Sequence, residues 1–246
     1  MTNNHRVACV FAHPDDETYC VGGIIAKLAD AGIKTDLYCA TDGDAGKHAG
    51  VPVSSREELA RVRRSETLAA ARILGIDSVE FGGYRDSGLQ DVDPAELTGA
   101  IVAFIRKRMP TVVMTFGPEG APTGHRDHRA ISRAATAAHF LAPLRTAFPE
   151  QLEQGLVPHR AARLFYHAWR FPHKDPALTL ESVPPTVDVN VAAWRERKLA
   201  AFMAHETQRL GYDRFVNDVL LDSEFLALAA GTPQPRDLVD DPFAGL

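Results

Sequence analysis

Between Arg6 and Phe116 the chain alternates short apolar runs with longer amphipathic ones, and this rhythm restricts the fold more than any other feature. Arg6–Ala12 reads as a first strand, Thr35–Ala40 as a second, Val79–Phe81 as a short third and Thr111–Phe116 as a β-branched fourth. The segments between them read as helices: Val21–Ala31 ended by Gly32, about Ser54 or Ser55 to Leu74, and Pro94–Met109 with proline near its start. Either serine can head a capping box, because Glu57 and Glu58 each lie three residues on, and Gly75 stands where that helix should stop. Strands alternating with helices imply a parallel sheet covered on both faces. The expected fold class is therefore α/β, a Rossmann-like three-layer sandwich with a mostly parallel sheet.

From about Ala142 the rhythm loosens, with prolines at 143, 149, 158, 172, 176, 184 and 185. A strand near Arg163–His167 and a helix near Ala192–Ala204 stand out there; Phe215–Ala230 reads as another helix, and the tail after Gly231 as surface or lid. One domain over residues 1–246 is expected, with a regular α/β part at about 1–140 and a less regular part at 141–246. The sequence alone does not decide whether residues 142–185 form a mobile lid.

Composition narrows the function classes. A hydrophobic content of 45% suits a sizeable core, and a formal net charge of −5 offers no basic footprint for nucleic acid. No apolar stretch reaches the roughly 18–20 residues that span a bilayer. The polar start, Met1 to His5, and the interruption at His13 leave no secretory apolar segment. Cys9, Cys20 and Cys39 are odd in number and lack CxxC spacing, so a reducing cytoplasm is the expected compartment. A homo-oligomer is compatible with these features.

Chemistry concentrates in two places. Directly after the first apolar run comes Ala12-His13-Pro14-Asp15-Asp16-Glu17, a histidine and three acids where a strand should end. Burying such charge costs several kcal/mol unless something pairs with it, and a divalent cation held by imidazole and carboxylate is the simplest partner. Shortly after the fourth strand comes Gly124-His125-Arg126-Asp127-His128. In open parallel sheets ligands bind beyond the carboxyl ends of the strands, where strand order reverses. If strands one and four are neighbours there, His13, Asp15 and Asp16 meet His125, Asp127 and His128 across one crevice.

The pairing of His13-Pro14-Asp15-Asp16-Glu17 with His125-x-Asp127-His128 resembles the LmbE-like, or PIG-L-like, zinc-dependent N-acetylglucosamine deacetylase family. Several further segments fit the same family: Gly22-Gly23, Thr41-x-Gly43-x-x-Gly46, Arg63-x-x-Glu66, Ala70-Ala71-x-x-Leu74-Gly75, Tyr84-Arg85-Asp86-Ser87-Gly88-Leu89, and Lys198 followed by His205-x-Thr207-Gln208. The resemblance implies His13, Asp16 and His128 as metal ligands, Asp15 as general base, and His125 as the group facing the oxyanion or protonating the leaving amine. It implies that Asp127 orients and tunes His125. It also implies Arg63, Asp86 and His205 as substrate-binding residues, against bland readings as a surface arginine, an ordinary turn and a helix cap. Glu17 reads equally as a helix-start acid or as support behind the ligands, and His167 is unassigned.

The implied activity is metal-dependent removal of the N-acetyl group from an N-acetylglucosamine derivative, a small-molecule amino-sugar substrate, by metal-activated water. Zn2+ is the implied cofactor, with another divalent ion such as Fe2+ also compatible. Two imidazoles and a carboxylate leave room for water, as catalytic zinc sites require. An amidase cleaving a larger acyl group is the alternative within this chemistry; a non-haem iron oxygenase is the alternative outside it, since its ligand triad has the same composition. Asp42 and Asp44 make the loop after strand two more acidic than in many relatives, while the Tyr-Arg-Asp-Ser-Gly and His-x-Thr-Gln versions most resemble the branch acting on glucosamine-linked thiols.

Overall fold

The computed structural model describes residues 5–48, 50–120, 123–169, 181–218, 221–233 and 239–246. Its strands are β1 (Arg6–Phe11), β2 (Lys34–Thr41), β3 (Ser78–Tyr84), β4 (Val112–Phe116), β5 (Arg163–Ala168), β6 (Val187–Asn190) and β7 (Ser223–Gly231). Its helices are α1 (Asp16–Asp30), α2 (Arg56–Leu74), α3 (Pro94–Arg108), α4 (Arg126–Leu141), α5 (Pro149–Glu153), α6 (Arg195–Ala204) and α7 (Tyr212–Asp218).

The strands form one sheet in the order β3-β2-β1-β4-β5-β7-β6. Pairing is parallel from β3 through β5 and antiparallel where β7 joins β5 and β6. Helices α1, α2 and α6 pack together, as do α3 and α4, and the sheet lies between the two groups. The central strands are continuous apolar runs because both faces are covered: Val7 to Ala12 and Val112 to Phe116 are at most 1% exposed. Strand order reverses between β1 and β4, which pair directly, so the loops after them share one crevice.

Local signals account for most element ends. The Ser55 side chain accepts from the Glu58 amide at the start of α2, and Gly75 closes that helix with φ 84°. Helix α1 begins earlier than its periodicity suggests and breaks at Val21, where φ is −143°. The freed amides of Gly23 and Ile24 donate to the Glu224 carboxylate at 2.7 and 2.6 Å, and Lys198 neutralises that carboxylate at 2.6 Å. A Cβ on Gly23 would lie 2.7 Å from Val191, so glycine is what lets α1 approach the chain leaving β6. Removing one partner of a buried ion pair such as Lys198–Glu224 costs about 3–5 kcal/mol.

The C-terminal part departs from the sequence expectation. Phe215–Ala230 is not one helix: α7 occupies its beginning, and β7 runs from Ser223 to Gly231. The Phe225-Leu226-Ala227-Leu228 run has helix-compatible composition, but pairing on both sides with β5 and β6 decides its conformation. The described part of the tail is not a lid either. Phe243 is buried and stacks on His5, and the fully buried Arg163 at the start of β5 donates to the carbonyls of Thr232, Pro233, Pro242 and Ala244. These contacts lie at the end of the sheet opposite the crevice. Arg106, in the last turn of α3, similarly binds the carbonyls of Ala142, Leu144, Ala147 and Phe148 at that end, so 142–148 does not cover the crevice. Within 142–185, the segment for which the sequence left a lid undecided, residues 170–180 lie outside the described residues.

Candidate metal and catalytic centre

The first motif is the turn from β1 into α1. The His13 amide donates to Asp16 Oδ2 at 2.7 Å, folding the Asp16 carboxylate back toward the strand end. Asp15 takes a left-handed conformation, φ 98° and ψ −24°, which costs a non-glycine residue about 1–3 kcal/mol. Its carbonyl accepts the amides of Thr18 and Tyr19, and Arg63 grips the turn from α2 through Pro14 O at 2.6 Å and Asp15 Oδ2 at 3.3 Å. The second motif opens α4. The Asp127 amide donates to His125 Nδ1 at 3.2 Å, and the His128 ring stacks on Phe116 at the end of β4 with centroids 3.9 Å apart.

The two motifs meet. His13 Nδ1 lies 3.2 Å from His128 Nε2, and Asp16 reaches both rings, Oδ2 at 3.5 Å from His13 Nδ1 and Oδ1 at 3.4 Å from His128 Nε2. The far nitrogen of each ring faces an acceptor. His13 Nε2 points to Asp127 at 3.1 Å and Asp86 at 3.2 Å, and His128 Nδ1 to the Gly120 carbonyl at 3.2 Å. With a proton held on each far nitrogen by these acceptors, a ring in its neutral form turns the lone pair of its near nitrogen toward the other ring, beside a carboxylate. Such a trio fits a proton or a cation between them, and rings backed by carboxylate and carbonyl are the usual support of metal-bound histidines. Of the three imidazoles that converge within 4.8 Å, His125 has the opposite arrangement. Its Nδ1 accepts the Asp127 amide, which leaves Nε2 as an N–H donor.

Electrostatics follow the same pattern. Burial opposes a charge on His13, but Asp127, Asp16 and Asp86 outweigh it and raise its pKa well above the ordinary value. Burial likewise disfavours ionised Asp16, yet His128 and His13 hold it low. Burial pushes Asp15 up to about 6, with Arg63 pulling against it and Asp16 adding to it. Burial and the neighbouring His13 and His128 rings keep His125 below its usual value.

The model of the family described as "PIG-L: GlcNAc-PI de-N-acetylase" matches residues 8–139, more than half of the chain. The chain belongs to this family. A probable N-acetyl-alpha-D-glucosaminyl L-malate deacetylase 2 from Bacillus anthracis is 34% identical over 209 residues, covering 85% of this chain and 83% of that protein. A 1D-myo-inositol 2-acetamido-2-deoxy-alpha-D-glucopyranoside deacetylase from Rhodococcus erythropolis is 31% identical over 94% of this chain and 92% of its own length. Among solved structures, the N,N'-diacetylchitobiose deacetylase from Pyrococcus horikoshii shares the fold, with a TM-score of 0.74 at 23% identity, over 92% of this chain and 84% of that one.

Within this PIG-L-family site, several residues occupy places other than those expected. The Asp127 carboxylate does not touch His125; fully buried, it binds His13 Nε2 and accepts the amides of Ser87 and Leu89 at 2.7 and 3.0 Å. Its position one residue into α4 aims it at the loop after β3, so it orients His13 and holds that loop against the crevice. Arg63, Asp86 and His205 all approach the turn; the terminal nitrogens of Arg63, the Asp86 carboxylate and His205 Nε2 are engaged by the protein, while Arg63 Nε and His205 Nδ1 are buried without a partner among the described residues. Arg63 is 3% exposed and spans Pro14, Asp15 and Gly43 O, and a Cβ on Gly43 or Gly46 would strike its guanidinium, which explains the glycine loop after β2. Asp86 accepts the Ala45 amide at 3.1 Å and faces His13. His205 is fully buried and pairs with Glu17 at 2.9 Å, behind the turn. Asp42 and Asp44 are matched by Arg64 and Arg56, each at 2.7 Å, which offsets the acidity of their loop.

Two structural links escaped the sequence reading. Glu66 accepts both the amide and hydroxyl of Thr207 at 2.7 Å, and Glu224 caps the broken α1. Nothing in residue spacing links partners so far apart, although buried acids beside apolar runs mark groups that need one. His167, the last residue but one of β5, lies opposite Phe116 in the register, with Nδ1 unpartnered among the described residues and its pKa pushed down to about 3 by burial and by Lys198. Its place at a strand's carboxyl end was the available signal.

Proposed function

We propose that this chain is a metal-dependent hydrolase that removes the acetyl group from an N-acetylglucosamine derivative, releasing acetate and the free amine. The observation that carries this reading is the convergence of His13 Nδ1, His128 Nε2 and Asp16 at the switch point of the sheet, with both far ring nitrogens engaged elsewhere. These three residues would hold the cation, Zn2+ by the preference of mixed imidazole and carboxylate donors, with Fe2+ compatible with the same set. Such a cation, when bound, polarises an amide carbonyl and acidifies water.

The protein's own groups supply the rest. Asp15 stands beside the ligand Asp16 without engaging either imidazole, and its carboxyl, pushed up to about 6 by burial, is suited to take a proton from water and return it to the departing amine. His125 presents its Nε2–H to the carbonyl oxygen, where negative charge grows as water adds and is lost again as the C–N bond breaks and C=O re-forms. Asp127 and Asp86 fix the tautomer and orientation of His13, and Arg63 holds the turn that carries Asp15.

The similarity to deacetylases of glucosaminyl malate and glucosaminyl inositol supports an amino sugar with a polar aglycone as substrate class. Family membership and the parallel sheet give the oxygenase alternative no support. No described helix is long and apolar enough to cross a membrane, and three buried free thiols suit the proposed cytoplasmic setting. Free-amine release should be measured from a panel of N-acetylglucosaminides, with metal-depleted and zinc-restored protein side by side. Release that vanishes on depletion and returns with zinc is expected; no release from any panel member would refute the reading.

A further inference from the structure

Three chain segments far apart in sequence close a buried circuit around Asp15. Its amide donates to Glu17 Oε2 at 3.2 Å. Glu17 Oε1 meets His205 Nε2 at 2.9 Å, and both residues are fully buried. Two residues on, Thr207 gives its amide and hydroxyl to the two oxygens of Glu66, each at 2.7 Å. Glu66 lies one helical turn from Arg63, and Arg63 returns to Pro14 O and Asp15 Oδ2. The ring thus runs Asp15, Glu17, His205, Thr207, Glu66, Arg63 and back to Asp15.

None of these groups but Asp15 is placed to touch a reacting atom. What the ring does is grip a strained turn from both sides. A non-glycine residue at φ 98° persists only when its surroundings over-determine it. Glu17 holds the turn by its amide and Arg63 by its carbonyl and carboxylate, and the segment 205–207 ties these two anchors together. The late His205-x-Thr207 motif therefore belongs to the floor of the site and not to its substrate wall.

We infer that Glu17 and His205, braced by the Thr207–Glu66 contact, are positioning residues that set the aim of the Asp15 carboxylate. This inference rests on the reading of Asp15 as the base. Small displacements of a reacting group cost on the order of 10²-fold in rate. Glu17→Gln and His205→Gln are each expected to lower kcat about tenfold or more, with KM within about twofold and metal content per chain unchanged. The double variant should fall no further than the worse single, because both act through one contact. Thr207→Val, a near-isosteric change on the far side of the ring, keeps the fold and should lower kcat by a smaller factor in the same direction.

A readout independent of turnover is the exchange rate of the Asp15 amide in the metal-free protein, which should rise in His205→Gln. Unchanged kcat in both Gln variants, multiplicative losses in the double variant, or an Asp15 amide that exchanges as in the parent would overturn the inference. Full activity in Asp15→Asn would instead refute the base assignment, and the amide exchange would still test whether the ring holds the turn.

Discussion

His13 Nδ1 and His128 Nε2 face one another at 3.2 Å although 115 residues separate them in the chain. They are brought together because β1 and β4 are neighbours where the strand order reverses, and each ring is anchored on its far side by Asp127 or by the Gly120 carbonyl. The proposed ligands sit in the turn after β1 and in the first turns of α1 and α4.

Asp15→Asn keeps the size of the side chain and leaves the three proposed ligands untouched. It should retain metal while turnover falls by about 10²–10⁴-fold. Zinc analysis alongside amine release checks both halves, and undiminished turnover would remove Asp15 from the role of base.

His125→Ala removes the Nε2–H donor proposed to meet the carbonyl oxygen. A fall in kcat of about 10²-fold is expected, with KM little changed. A change confined to KM would mean that His125 only binds substrate.

Arg63→Gln tests whether that arginine serves the turn or the substrate. Its two terminal nitrogens donate to Gly43, Pro14 and Asp15, so turnover should fall by the same factor with N-acetylglucosamine as with larger conjugates. Leaving buried acceptors unmet should also lower stability by about 1–3 kcal/mol, seen as a lower Tm. A loss seen only with the larger conjugates would indicate a direct contact.

His167 gives a pH prediction. Its pKa falls from an ordinary 6.5 to about 3 in the folded chain, through burial first and then Lys198. Between those values the unfolded chain binds a proton that the folded chain does not, so stability is highest above pH 6.5 and declines as pH drops toward 3. One such group contributes a slope of about 1.4 kcal/mol per pH unit. Metal-free His167→Leu should lose less stability than the parent between pH 6.5 and pH 4; identical losses would show that His167 titrates normally.

The sequence revealed the parts of this molecule whose causes are local. The β1-to-β4 alternation, the Ser55 cap, the Gly75 stop and both motifs depend on residues within a few positions of one another. Contacts made through space were harder to read. Glu17 and His205 are 188 residues apart, Glu66 and Thr207 are 141 apart, and no periodicity connects them. Asp127 was expected to orient and tune His125; its amide does meet His125 Nδ1, while the first turn of α4 directs its carboxylate to His13 and the loop after β3. Leu226 and Leu228 carried a helical appearance that strand pairing overrode.

The most direct test is crystallographic. Crystals of the protein soaked in zinc should give an anomalous peak at the zinc edge lying between His13 Nδ1, His128 Nε2 and the Asp16 carboxylate, with His125 outside bonding distance. A peak coordinated by His125 in place of Asp16, or no peak at these residues, would contradict the account.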